Sequence, residues 1–155
     1  MDLLEKTAIV QVLAPDADAF AGTPTIDIID MANYRSVTFV FVHAVGVTGT
    51  SKITIEECDD NAASNSTAIP FSYRLSAGMT GVWGALTAVT AATGYTTVAG
   101  SNKVVAITID AADLADGFPF VRLVAVEVAN DPVDGCVYAI LTNRRYGQAT
   151  GPGVV

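Results

Sequence analysis

Apolar residues recur at every second position along stretch after stretch of this chain, and that period confines it to β-structure. Only an extended backbone sends successive side chains to opposite faces. Segments 7–13, 25–29, 35–45, 51–58, 69–75, 103–109, 119–128 and 135–142 all read as strands, separated by runs rich in Gly, Asp and Asn. The strongest is 35–45. Its odd positions are Val37, Phe39, Phe41, His43 and Val45, and its even ones Thr38, Val40, Val42 and Ala44. A strand apolar on both faces is expected to be covered on both, inside a sandwich or beneath a neighbouring subunit.

Segment 51–58 follows a loop with Gly46 and Gly49, and 135–142 follows a loop at 130–134. Both are expected to fold back on their predecessors as hairpins. The segment Asp110 to Gly117 opens on a capping aspartate and closes on glycine, which predicts one short helical turn. Residues 85–92 have the length for a short helix, but Thr87, Val89 and Thr90 oppose it. The resulting expectation is an all-β, single-domain antiparallel β-sandwich, jelly-roll-like, over residues 1–146, with an extended Gly/Pro-rich tail at 147–155.

The chemistry of the chain is constrained mainly by what it lacks. Only 15% of its 155 residues are charged, against about 25% in an average soluble protein. The formal charge is −8, and no basic cluster exceeds Arg144–Arg145. Nucleic-acid or anionic-membrane binding is not expected from such a balance. No apolar run approaches the length needed to span a bilayer. Residues 1–6 carry Asp2 and Glu5 and do not resemble a secretory signal, so synthesis in a cytosol is expected. Cys58 and Cys136 are then expected as free thiols, with a disulfide between them as the alternative.

Candidate sites are few. His43 is the sole histidine and sits among large apolar residues, which reads as a core histidine. Asp59, Asp60 and Asn61, or Asp110, Asp113 and Asp116, offer hard oxygens for calcium, but neither set has EF-hand spacing, and turn formation or helix capping explains both. Glu56 and Glu57 are neighbours on a strand and point to opposite faces, so they cannot act jointly on one substrate. Asn65-Ser-Thr67 has the glycosylation pattern but no secretory route to use it. No phosphate loop, nucleophile elbow or zinc spacing is present. The expectation is a protein without catalytic residues, cofactor or metal.

From Leu75 to Asn102 there is no charged residue at all. One reading is an ordinary buried sheet with small-residue loops. The other is a surface covered by another subunit, with Met79, Trp83 and Tyr95 as anchors.

Two blocks carry a family resemblance. Tyr34-Arg-Ser-Val-Thr-Phe-Val-Phe-Val42 leads through Gly46 and Gly49 into Lys52-Ile-Thr-Ile-Glu-Glu-Cys-Asp-Asp60, and Phe118-Pro-Phe-Val-Arg-Leu-Val-Ala-Val126 is followed by Asn143-Arg-Arg-Tyr-Gly147. This resembles small virion structural proteins of tailed bacteriophages. The resemblance implies a non-enzymatic capsid decoration (cement) protein, or a neck or tail protein. It implies a location on the capsid surface after synthesis in the host cytoplasm, the major capsid protein as partner, and a homo-oligomer, with a trimer favoured. Interface residues expected on this reading are Met79, Trp83, Tyr95, Arg144, Arg145 and Tyr146. A carbohydrate-binding or adhesion module, using Trp83, Tyr73 and Tyr95 as an aromatic platform, is the reading from another class.

Overall fold

A computed structural model describes residues 6–44, 46, 48–100 and 102–145. They form eleven strands: β1 Ala8–Asp16, β2 Ile29–Asp30, β3 Tyr34–His43, β4 Thr50–Cys58, β5 Ser66–Ile69, β6 Phe71–Leu75, β7 Thr87–Val89, β8 Tyr95–Thr96, β9 Lys103–Asp110, β10 Phe120–Ala129 and β11 Gly135–Arg144. One 3-10 turn, Ala111–Asp113, follows β9, with the Asp110 amide donating to Asp113 Oδ2 at 3.3 Å. The protein is an all-β antiparallel sandwich. One sheet runs β1-β11-β3-β9-β6-β7; the other runs β2-β10-β4-β5, with β8 pairing β4.

The core lies between the sheets and is made by the alternation read from the sequence. Val37, Phe39 and Phe41 of β3, Ile107 and Ile109 of β9, and Val137 and Ala139 of β11 face Ile53 and Ile55 of β4 and Val121 and Leu123 of β10. At one end Phe20 stacks on Phe41 with centroids 4.3 Å apart.

The two expected hairpins do not form. β3 lies in the six-stranded sheet and β4 in the other; β10 and β11 are split the same way. Both connections are arches that cross the sandwich. The arches pair with each other, β3 with β11 and β4 with β10, so two chain reversals far apart in sequence are rolled together. The loops interlock: Ala44 N–H donates to the Asp134 carbonyl at 2.9 Å, and Thr48 N–H to Asp131 Oδ2 at 2.9 Å. Gly49 is required there, because a Cβ would run into the Asp131 carbonyl oxygen. β4 makes its hairpin with β5 instead, across the polar turn at 59–65.

Two further strands differ from expectation. Segment 69–75 breaks at Pro70, which has no amide hydrogen to give a ladder; β5 ends in one sheet and β6 begins in the other. Segment 25–29 is reduced to Ile29–Asp30, although Ile26 stays buried and Asp27 N–H reaches the Val12 carbonyl at 3.0 Å. Residues 87–89 are strand, not helix. The tail expected at 147–155 lies outside the described residues.

Candidate functional site

Two surfaces stand out. The first is the long hairpin that closes the six-stranded sheet. β6 and β7 pair through Phe71–Val89 and Tyr73–Thr87, and the pairing continues through a Ser76–Trp83 bridge toward a tip near residues 77–82. Arg74 Nη1 clamps the return limb by donating to the Gly84 carbonyl at 2.8 Å. Every residue from Met79 to Ala88 is exposed. Among them Met79 is 47%, Val82 64%, Trp83 43% and Leu86 59% accessible. The uncharged segment thus divides: its return limb is surface, while Ser76, Tyr95 and Thr97 are buried.

Tyr95 is therefore corrected as an interface anchor. It is only 9% exposed and packs on Tyr73 with centroids 4.3 Å apart; burial pushes its hydroxyl up to about 12. With Tyr95 in the core and Tyr73 half-buried against it, Trp83 has no partner ring with which to form an exposed platform of that trio.

The second surface was not singled out in the sequence. It is the outer face of the six-stranded sheet, built from the residues of β1, β11, β3 and β9 that alternate with the core positions. Its rows follow the register: Ile9, Ile140, Thr38 and Thr108; then Gln11, Tyr138, Val40 and Ala106; then Cys136, Val42 and Val104. Most are half-buried by their neighbours within the sheet, and Ile9 is 47% exposed. These rows contain no Asp, Glu, Lys or Arg. Charges stand at the margin, on Arg74 of β6 and at strand ends such as Asp110 and Arg144. The hydroxyls on the face satisfy one another: Ser36 Oγ and Thr142 Oγ1 lie 2.7 Å apart, Thr38 Oγ1 and Thr108 Oγ1 2.9 Å. The opposite sheet's outer face is different. Lys52, Glu56 and Arg122 stand in mid-strand there, and Glu56 Oε2 accepts from Arg122 Nη2 at 2.7 Å. The signal for the uncharged face was the two-sided apolarity of β3. Its even positions Thr38, Val40 and Val42 face outward and are half-buried.

The remaining candidates make contacts that tie the fold together. His43 is buried, stacks parallel to Phe20, and lies 3.3 Å through Nε2 from Thr97 Oγ1; burial holds its pKa below the ordinary value. Cys58 and Cys136 are free thiols in different sheets, and burial pushes both up. Asp59 accepts from Asn65 N–H at 2.9 Å, and Asp60 from Ala62 and Ser64 N–H at 2.9 and 3.0 Å, so both carboxylates tie the β4–β5 turn. The side-chain hydrogen bonds from Asn65 Nδ2 to Asp59 and from Ser64 Oγ to Asp60, together with these backbone ones, hold both below the usual carboxylate range. Among the described residues no three His, Cys, Asp or Glu side chains converge as a metal site. Glu57 points inward and accepts from Ala115 N–H at 2.7 Å, opposite to Glu56. Arg145 lines an open groove with Arg35, Asp110, Asp116 and Asn143, and its Nε donates to the Tyr34 carbonyl at 3.3 Å. Arg144 is half-buried. Tyr146 lies outside the described residues.

No protein-family model matches the chain, and no curated protein matches it. Among solved structures, the crystal structure of SPBc2 prophage-derived protein YomS shares the fold, with a TM-score of 0.50 over 88% of this chain and 93% of that one, at 14% sequence identity.

Proposed function

We propose that this chain is a structural protein of a bacteriophage particle. The observation that carries the reading is a sandwich whose fold is shared almost end to end with a prophage-derived protein. On it, an exposed hairpin presents Met79, Val82, Trp83 and Leu86 with no charge among them. Apolar groups held out on a strand edge are suited to docking a protein surface, because burying them is favourable and the open edge can accept a further strand. Within that reading the finer assignment is a non-enzymatic head decoration protein. It would bind the outer face of the shell through contacts to the major capsid protein, as a homo-oligomer.

The test is cosedimentation of purified protein with heads of the encoding phage. Saturable binding at hundreds of copies per particle supports decoration, and tens of copies by quantitative mass spectrometry of virions moves the assignment to neck or tail. Failure to find the chain in purified virions removes the reading. Trp83→Ala is expected to weaken head binding by about tenfold or more, the loss typical of an aromatic anchor. The same variant addresses the carbohydrate-binding alternative: glycan-array binding abolished by Trp83→Ala would favour it over the virion.

A further inference from the structure

We infer that two copies of this chain associate through the outer face of the six-stranded sheet, each packing it against the same face of the other across a two-fold axis. The inference gives a surface to the self-association proposed above and does not depend on the identity of the capsid partner.

The argument for a second copy as occupant is electrostatic. Each chain carries a formal charge of −8, so two copies repel wherever their carboxylates meet. In a two-fold contact every group near the axis faces its own twin, and a charge there would face a like charge. From β1 to β9 the rows around Tyr138 and Val40 contain no charge, the nearest being Arg74 beside Ala106 at the margin, so their centre can be apposed to itself without that cost. The outer face of the other sheet, with Lys52, Glu56 and Arg122 in mid-strand, cannot. A basic partner would instead be drawn to the acidic loops and would gain nothing from a neutral face.

The chemistry of the face permits dry burial. Burying a hydroxyl is costly when it loses its hydrogen bond. Here the Ser36–Thr142 and Thr38–Thr108 pairs already satisfy one another within the sheet. The rest of the centre is aliphatic apart from Cys136 and Tyr138, whose hydroxyl needs a partner across the contact. Gln11 stands exposed on the edge strand β1, where its amide can stay in water, and stacked sheets about 10 Å apart interdigitate the remaining side chains. β3 then becomes a strand covered on both sides, as its two apolar faces require. A single self-complementary face closes at two copies, which departs from the trimer implied by the family resemblance.

Sedimentation velocity on the purified full-length chain tests this with no phage component present, so its outcome is separate from that of the virion reading. The expected species has twice the 16.0 kDa chain mass. Val40→Glu sets carboxylates against each other across the axis and is expected to raise the dissociation constant about a hundredfold. Val124→Glu, on the outer face of the other sheet, is expected to leave the dimer intact. Cys136, half-buried on the proposed face, gives a readout that needs no substitution, since Cys58 is fully buried. Its alkylation by a maleimide is expected to quicken about tenfold or more when the wild-type dimer is diluted to monomer, as access to the thiol is restored. A chain that stays monomeric when concentrated overturns the inference. So does a trimer, or a dimer in which Cys136 reacts as fast as in the monomer.

Discussion

At the scale of single residues, His43 and Gly49 show how the sandwich end is locked. His43 is enclosed by Phe20, Phe41 and Thr97, and burial lowers its pKa from 6.5. The folded state therefore keeps the ring neutral over a range in which the unfolded chain has already taken up a proton. More protons bound when unfolded means that stability falls with falling pH. The full contribution is present above pH 6.5 and is lost as the pH drops through the window down to the lowered folded value. The urea midpoint is expected to fall between pH 7.5 and pH 5, and to fall less in His43→Gln. An equal fall in the variant would assign the pH dependence to other groups. Gly49 makes a different demand. A methyl group there meets the Asp131 backbone and the Val133 side chain, and the backbone cannot move without opening the stacked arches. Gly49→Ala is expected to cost about 2 kcal/mol of stability, the scale of an overpacked site, read as a lower denaturant midpoint with unchanged m-value.

At the scale of elements, the strands were legible and their partners were not. Alternation tells which residues of β3, β4, β10 and β11 face a core, because the period is the same in either sheet. It carries nothing about whether the next strand returns beside its predecessor or crosses to the opposite layer. Loops at 44–49 and 130–134 are long enough for both outcomes; the decision rests on their mutual contacts, which join residues more than eighty positions apart. Pro70 was a visible corner inside a run that otherwise reads as one strand. Within the uncharged segment, composition alone could not separate buried Tyr95 from exposed Trp83, since that depends on which limb of the hairpin each ring occupies. The topology also orders local stability. β3 and β11 are hydrogen-bonded along both edges, whereas β7 is paired on one side only and is three residues long. Hydrogen exchange followed by mass spectrometry is expected to show slowest exchange in 37–42 and 137–141 and fastest in 84–88. Protection of 84–88 as strong as that of β3 would mean that the edge is already covered by another molecule.

At the scale of the whole molecule, the distribution of charge matters more than its total. A chain at −8 with carboxylates spread over its loops is kept apart from its copies by long-range repulsion. In the proposed dimer the uncharged rows of the outer face would let contact form once two copies come close. These two effects respond differently to salt. Repulsion between separated charges is screened as the Debye length shortens from about 30 Å at 0.01 M to about 10 Å at 0.1 M. Apolar contact across a face without ions is not weakened by that screening. Added sodium chloride is therefore expected to tighten self-association, and lowering the pH toward the isoelectric point near 4.3 adds to the effect by removing net charge, until loss of stability at His43 opposes it. An interface built on ion pairs such as Glu56–Arg122 would behave in the opposite sense, loosening with salt. The sign of the salt dependence, read from dissociation constants at several ionic strengths, thus tests the charged sheet without any substitution: loosening assigns the contact to it, and tightening excludes it, leaving the neutral sheet, which the Cys136 alkylation rate separates from the equally uncharged hairpin at 79–88.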